Sequence, residues 1–116
     1  LGTTAVGDGV AIPHVRNPIV LHLPRPMISL FFLDSSIEFG ALDGKPVHTL
    51  FVIASPTISA HLNLLSQLAF ALRQTEFKEI IARRGSREEI DEEARRIARL
   101  IDERREASTA SQGEEE

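Results

Sequence analysis

The side chains best suited to chemistry in this chain are its four histidines, and His14 stands apart from the others by its setting. It closes the run Gly7-Asp-Gly-Val-Ala-Ile-Pro-His14. Two glycines there open backbone conformations closed to other residues, Val10 to Ile12 has the apolar character of a short strand, and Pro13 fixes the backbone just before the ring. An imidazole held at the end of so restrained a segment is the first candidate for chemistry among the four, with a structural role fitting the setting equally. Gly7 and Gly9 could bring backbone N–H groups up to an anion, although two glycines do not by themselves define such a cradle. Arg16 fits two readings equally, a charge-assisted contact to a phosphoryl oxygen or a solvated arginine.

His61 is the second candidate. It follows Ser59, which reads as the N-cap of a helix, so it falls in the first turn, where unpaired N–H groups and the helix dipole favour negative charge. The same field disfavours an imidazolium, leaving a neutral ring able to donate or accept a hydrogen bond near a phosphoryl group. A histidine that merely ties the helix to a loop explains the position as well. His22, on the polar phase of Ile19 to Leu23, and His48, just after the Lys45-Pro46 turn, read as ordinary structural or surface histidines.

Other chemistries find little support. A metal site built from His14, His61 and Asp43 is conceivable from residue types, but no His-x-x-x-His pair lies on a helix and the chain has no cysteine. There is no Gly-x-Ser-x-Gly elbow, no P-loop and no dinucleotide fingerprint, so neither a serine triad, nor a metal, nor any other cofactor is expected. With 13 basic and 17 acidic residues the formal charge is −4, which offers no basic face to nucleic acid. No segment has the roughly 20 consecutive apolar residues of a membrane span, and no signal-peptide layout is present, so a cytoplasmic protein without membrane insertion is expected. The absence of a leading Met suggests that Leu1 is not a native start.

These residues need elements to position them. A chain of 116 residues, 42% hydrophobic, suits one compact domain. Ile19 to Leu23 alternates as a strand, Pro24 and Pro26 interrupt it, and Met27 to Leu33 and Val47 to Ser55 are near-continuous apolar runs of the kind buried on both faces. Asp34-Ser35-Ser36 and Leu42-Asp-Gly-Lys-Pro46 read as turns around a short Ile37 to Phe39 piece. Beyond Pro56 the period becomes helical, with Leu62, Leu65, Leu68, Ala69 and Leu72 on one face. A shorter helix over about Glu76 to Arg83 ends at Gly85 as its C-cap residue. Ser86-Arg-Glu-Glu89 matches a capping box and opens a charged helix, residues 86 to 107, with a narrow stripe of Ile90, Ala94, Ile97 and Ile101. Residues 108 to 116 read as a disordered acidic tail. The order of elements predicts an α/β fold: a single domain with a mixed β-sheet flanked by helices, over residues 1 to 107.

Thr3-Thr-Ala-Val-Gly-Asp-Gly-Val-Ala-Ile-Pro-His14 resembles the phosphorylation-site signature of the fructose, mannitol and nitrogen-regulatory enzyme IIA domains of the bacterial phosphotransferase system. Ile37 to Phe39, Leu42-Asp-Gly-Lys-Pro-Val47, and Ala60-His-Leu62 with Leu65, Leu68 and Ala69 resemble the same family in the same order, over residues 1 to about 84, with the nitrogen-regulatory branch nearest. The resemblance implies that His14 is phosphorylated at Nε2 by the histidine-containing phosphocarrier protein, that His61 is the second active-site histidine, and that a IIB domain or a regulatory target lies downstream. It also implies two departures. The family's leading helical segment, and the Arg-Glu pair that precedes the stretch matching Leu1 to Thr4, are not in this chain, and Arg16 is the substitute at hand for that arginine. The helix from Ser86 is more charged and longer than the family's closing helix. The alternative from another class is a non-catalytic interaction module that keeps the fold and binds a partner through the His14 loop or the C-terminal helix; a metal-dependent hydrolase is the third.

Overall fold

The computed structural model describes residues 5–13, 25–38, 40 and 43–114. His14, Arg16, His22, the expected strand Ile19 to Leu23, and Phe39 lie outside the described residues. The fold is α/β as expected, with a mixed sheet of four strands: β1 (Ala5–Gly7), β2 (Val10–Ala11), β3 (Met27–Ile37) and β4 (Val47–Ala54). Three helices follow, α1 (Ile58–Ala71), α2 (Thr75–Ala82) and α3 (Arg87–Glu114). The chain divides into two compact units, with the boundary between Leu65 and Ser66 inside α1.

In the first unit the strand order is β1-β2-β4-β3. β1 and β2 pair antiparallel, β2 runs parallel to β4, and β3 runs antiparallel to β4. β1 and the turn after it are more regular than the shaped loop expected for residues 1 to 18. Asp8 and Gly9 sit between the paired residues Gly7 and Val10 with φ of 55° and 80°. Two central residues at positive φ are the pattern of a type I′ hairpin turn, for which Asp-Gly is among the preferred sequences because its twist matches that of the strands. The buried apolar residues are Val10, Ala11, Ile12, Val47 and Phe51, and Thr49 is fully buried among the polar ones. In β4 the buried positions alternate at Val47, Thr49 and Phe51, so this strand has one buried face rather than two.

β3 departs further from expectation. Met27, Ile28, Phe31 and Ile37 are exposed, and among the described residues β3 pairs only with β4. The polar cluster Asp34-Ser35-Ser36, expected as a turn, belongs to β3. It fills an irregularity between the pairs Phe32↔Thr49 and Ile37↔Val47, where β3 holds more residues than β4 opposite it. A bulge absorbs polar residues with poor strand propensity without ending the strand.

Helix α1 begins earlier than expected. Thr57, not Ser59, caps it: Thr57 Oγ1 accepts from the Ala60 N–H at 3.0 Å, and Thr57 O accepts from the His61 N–H at 3.1 Å. Leu62 and Ala69 are exposed, and the buried positions are Leu68 and Ala71.

In the second unit, α2 and α3 are joined by a turn that supplies hydrogen bonds to groups at both helix ends. The Gly85 N–H donates to Ile80 O at 2.9 Å and the Arg84 N–H to Ile81 O at 3.1 Å, the two bonds of a Schellman motif. The left-handed residue is Arg84, with φ 54°, rather than Gly85. Gly85 is needed for proximity instead: a Cβ there would stand 2.7 Å from Ile80 Cγ2. The capping box forms as expected, with the Glu89 N–H on Ser86 Oγ at 3.2 Å and the Ser86 N–H on Glu89 Oε1 at 3.1 Å. Arg83 grips the same carboxylate through both terminal nitrogens. The Arg83 guanidinium first, and the Ser86 N–H second, hold the Glu89 carboxyl down to about 2.

The core residues of this unit are Leu68, Ala71, Phe77, Ile81 and Ile97. On α3 the expected stripe holds at Ile90, Ile97 and Ile101 and departs at one position. Ala94 is exposed, and Glu93 is buried one turn before Ile97. Its carboxylate is paired with Arg96, which also reaches Glu76 at 3.3 Å, so the charge enters the interface with its partner. α3 also runs on to Glu114, through the residues expected to form a disordered tail. Once a helix is nucleated each further residue adds a hydrogen bond at little cost, and no proline interrupts this segment. Its side chains from Asp102 to Ser111 are exposed, and the Thr109 hydroxyl donates back to Arg105 O at 2.9 Å.

Candidate functional site

The loop that carries the candidate site is held from two sides. On one, the Asp43 carboxylate accepts the Asp8 N–H at 2.8 Å and the Lys45 N–H at 3.1 Å. These two donors, the Asp8 amide first, hold the Asp43 carboxyl below its ordinary value. Lys45 adds an exposed ion pair to Asp8 at 3.6 Å. On the other side, Gly9 O accepts both the His48 N–H at 2.8 Å and the Thr49 N–H at 3.1 Å. The His48 ring packs so closely on Gly9 that a Cβ there would overlap its Nε2 and Cδ2 atoms. The ring is oriented by a 2.6 Å hydrogen bond between Nδ1 and the hydroxyl of Thr49.

The positive φ of Gly9 and the ring against it therefore both demand glycine. Gly7, with φ 95°, faces the Asp43 carboxylate, whose Oδ2 would lie 3.4 Å from a Cβ at that position. The N–H between the two glycines is thus already taken by a carboxylate of this chain. The strand that leaves this hairpin is buried at Val10, Ala11 and Ile12 and is followed by Pro13. His14 and Arg16 come next in the sequence and lie outside the described residues.

His61 is the fourth residue of α1 and is half-buried. Its N–H makes the first regular bond of the helix, to Thr57 O, so the open donors at this end belong to the residues before it. The structure thus places Gly7 and Gly9 together in one hairpin and His61 in the first turn of α1. Sequence reasoning passed over Asp43 as an anchor and His48 as the ring packed on the loop. The Asp8-Gly9 dipeptide between apolar residues was the available signal for the hairpin; the Asp43 contact spans 35 positions and left no local trace.

The fold is that of a IIA-type domain. The crystal structure of nitrogen regulatory protein IIA-Ntr from Neisseria meningitidis matches 80% of this chain and 63% of that one, with a TM-score of 0.62 and 30% identity. The chain belongs to the family described as phosphoenolpyruvate-dependent sugar phosphotransferase system, EIIA 2, whose model matches residues 1–96. A nitrogen regulatory protein from Pseudomonas aeruginosa is 38% identical over 81 residues, 68% of this chain and 51% of that protein. A fructose-specific EIIA component from Haloferax volcanii is 30% identical over 92 residues, 78% of this chain and 58% of that protein. The chain spans about half the length of the curated relatives it matches. Among the described residues no helix is long and apolar enough to cross a membrane.

Proposed function

We propose that this chain is a cytoplasmic phosphocarrier in which His14 accepts a phosphoryl group from the histidine-containing phosphocarrier protein. The group is then passed to a IIB domain, or its presence is reported to a regulatory target. The observation that carries the reading is the family match over residues 1–96, which spans the whole run ending at His14. The doubly anchored hairpin supports it, since the buried strand it starts runs directly into Pro13. The names of the Pseudomonas and Neisseria relatives favour nitrogen regulation over sugar uptake.

The reaction is an exchange between imidazoles. A nitrogen–phosphorus bond forms at Nε2 of His14 as the equivalent bond on the donor histidine breaks, and the donor ring leaves with its electron pair. Such a transfer has little covalent chemistry for the protein to supply; positioning and charge stabilisation are the protein's contribution. Gly7 and Gly9 shape the hairpin, Arg16 supplies positive charge to the phosphoryl oxygens, and His61 orients the group near a helix N-terminus, where negative charge is favoured. The test is transfer from phosphoenolpyruvate through the phosphocarrier protein onto the chain. His14→Ala must abolish it, and His61→Ala must slow it, on the order of 10²-fold, while leaving His14 as the labelled residue.

A further inference from the structure

The second unit holds a cleft of about 310 Å³ between the C-terminal half of α1 and the distal part of α3. Phe70 and Ile101 give it apolar walls, and Ser66, Arg104, Arg105 and Ser108 supply polar groups. The volume is at the lower end of the range for small-molecule sites, enough for a ring-sized body. Its charge runs against that of the molecule. The chain is formally −4 with 17 acidic residues, yet the residues lining this cleft include two arginines and no carboxylate.

Arg104 is arranged to use that charge. Its guanidinium carbon lies 5.2 Å from the centroid of the Phe70 ring. A cation over an aromatic ring is held by the ring's face, and a guanidinium carries five N–H donors in a fork that matches a carboxylate or phosphate. The aromatic contact also limits the freedom of a long side chain, so less is lost when a ligand orders it. One wall of the cleft, Ile101 to Ser108, lies past the 1–96 stretch matched by the family.

The geometry points to a binding site for a small amphipathic anion, an apolar ring carrying one carboxylate or phosphate, with the ring against Phe70 and Ile101 and the anionic group on Arg104. The site is independent of phosphoryl transfer at His14 and can fail or stand without it.

The experiment is an amide-resolved NMR titration of the full chain with 2-naphthoate, 2-naphthyl phosphate, the neutral 2-naphthylmethanol, and acetate. Saturable shifts centred on Phe70, Ile101 and Arg104 are expected with one or both naphthyl anions, and which of them binds tighter identifies the acid group. The affinity of that probe falls about tenfold or more in Arg104→Gln, with circular dichroism unchanged, and is partly restored in Arg104→Lys. Absence of shifts at these residues, equal binding of the neutral alcohol, or undiminished binding to Arg104→Gln would each overturn the proposal.

Discussion

Asp43 and Asp8 are joined across 35 residues of sequence, the Asp43 Oδ2 atom accepting the Asp8 N–H at 2.8 Å while Oδ1 accepts the Lys45 N–H at 3.1 Å. A carboxylate with two backbone donors is a stronger anchor than a neutral acceptor in the same place. Asp43→Ala should speed hydrogen exchange at the Asp8 and Lys45 amides severalfold, with Asp43→Asn intermediate. The folded carboxyl is held below its ordinary value. The anchor is therefore complete above the ordinary carboxylate range and is lost as pH falls through the lowered value. Unchanged exchange at Asp8 in Asp43→Ala would remove Asp43 from the description of the loop.

Gly9 and His48 should be strongly coupled. Gly9→Ala places a side chain at positive φ, costing about 1–2 kcal/mol, and against the His48 ring, costing roughly 1–3 kcal/mol more. The expected total is about 2–5 kcal/mol, read by denaturant or thermal unfolding. In a His48→Ala background the ring is gone, and only the backbone part, about 1–2 kcal/mol, should remain. Equal penalties in the two backgrounds would show that the ring is not what excludes a side chain at position 9.

At the start of α1 the cap belongs to Thr57. Thr57→Ala should cost about 1 kcal/mol of stability, while Ser59→Ala, two residues into the helix, should change it little. The reverse order would restore Ser59 as the cap and move His61 two positions closer to the open N–H groups.

Glu89 makes the turn between α2 and α3 sensitive to acid. The Arg83 guanidinium and the Ser86 N–H hold its folded carboxyl at about 2, below the ordinary 4.5. A group whose value is depressed on folding stabilises above its unfolded value and loses that contribution as pH falls toward the folded one. Melting temperatures of the parent chain and Glu89→Gln should therefore differ most above about pH 4.5 and converge as pH approaches 2. A constant difference over that window would mean that Glu89 acts through packing alone.

Elements governed by local rules were the legible ones. The capping box at Ser86 and Glu89 formed as read, and the strand runs at Met27 and Val47 exist, as does the change to helical period after Pro56. What failed depended on groups distant in sequence or on small shifts of phase. Thr57 outcompeted Ser59 because Ser55 and Thr57 form a turn of their own, with Ser55 Oγ donating to Thr57 O at 3.0 Å. On α3 one position of the stripe differs, because Arg96 lets Glu93 be buried where Ala94 was expected, while Ile90, Ile97 and Ile101 keep their face. β3 looked buried from its composition, but composition does not fix a strand's place in the sheet. At the candidate site the shared hairpin of Gly7 and Gly9 and the place of His61 in the first turn of α1 were legible from type and spacing. Asp43 and His48 were not, since their roles arise only when β4 and its preceding turn close on the hairpin.

The most direct test is intact-mass analysis after incubation with phosphoenolpyruvate and the upstream phosphorelay proteins, the histidine-containing phosphocarrier protein among them. The account predicts a gain of one phosphoryl group that is stable in base, lost in acid as expected of a phosphorylated imidazole, and absent from His14→Ala. A folded chain that gains no mass, or one whose label persists in His14→Ala, would contradict it.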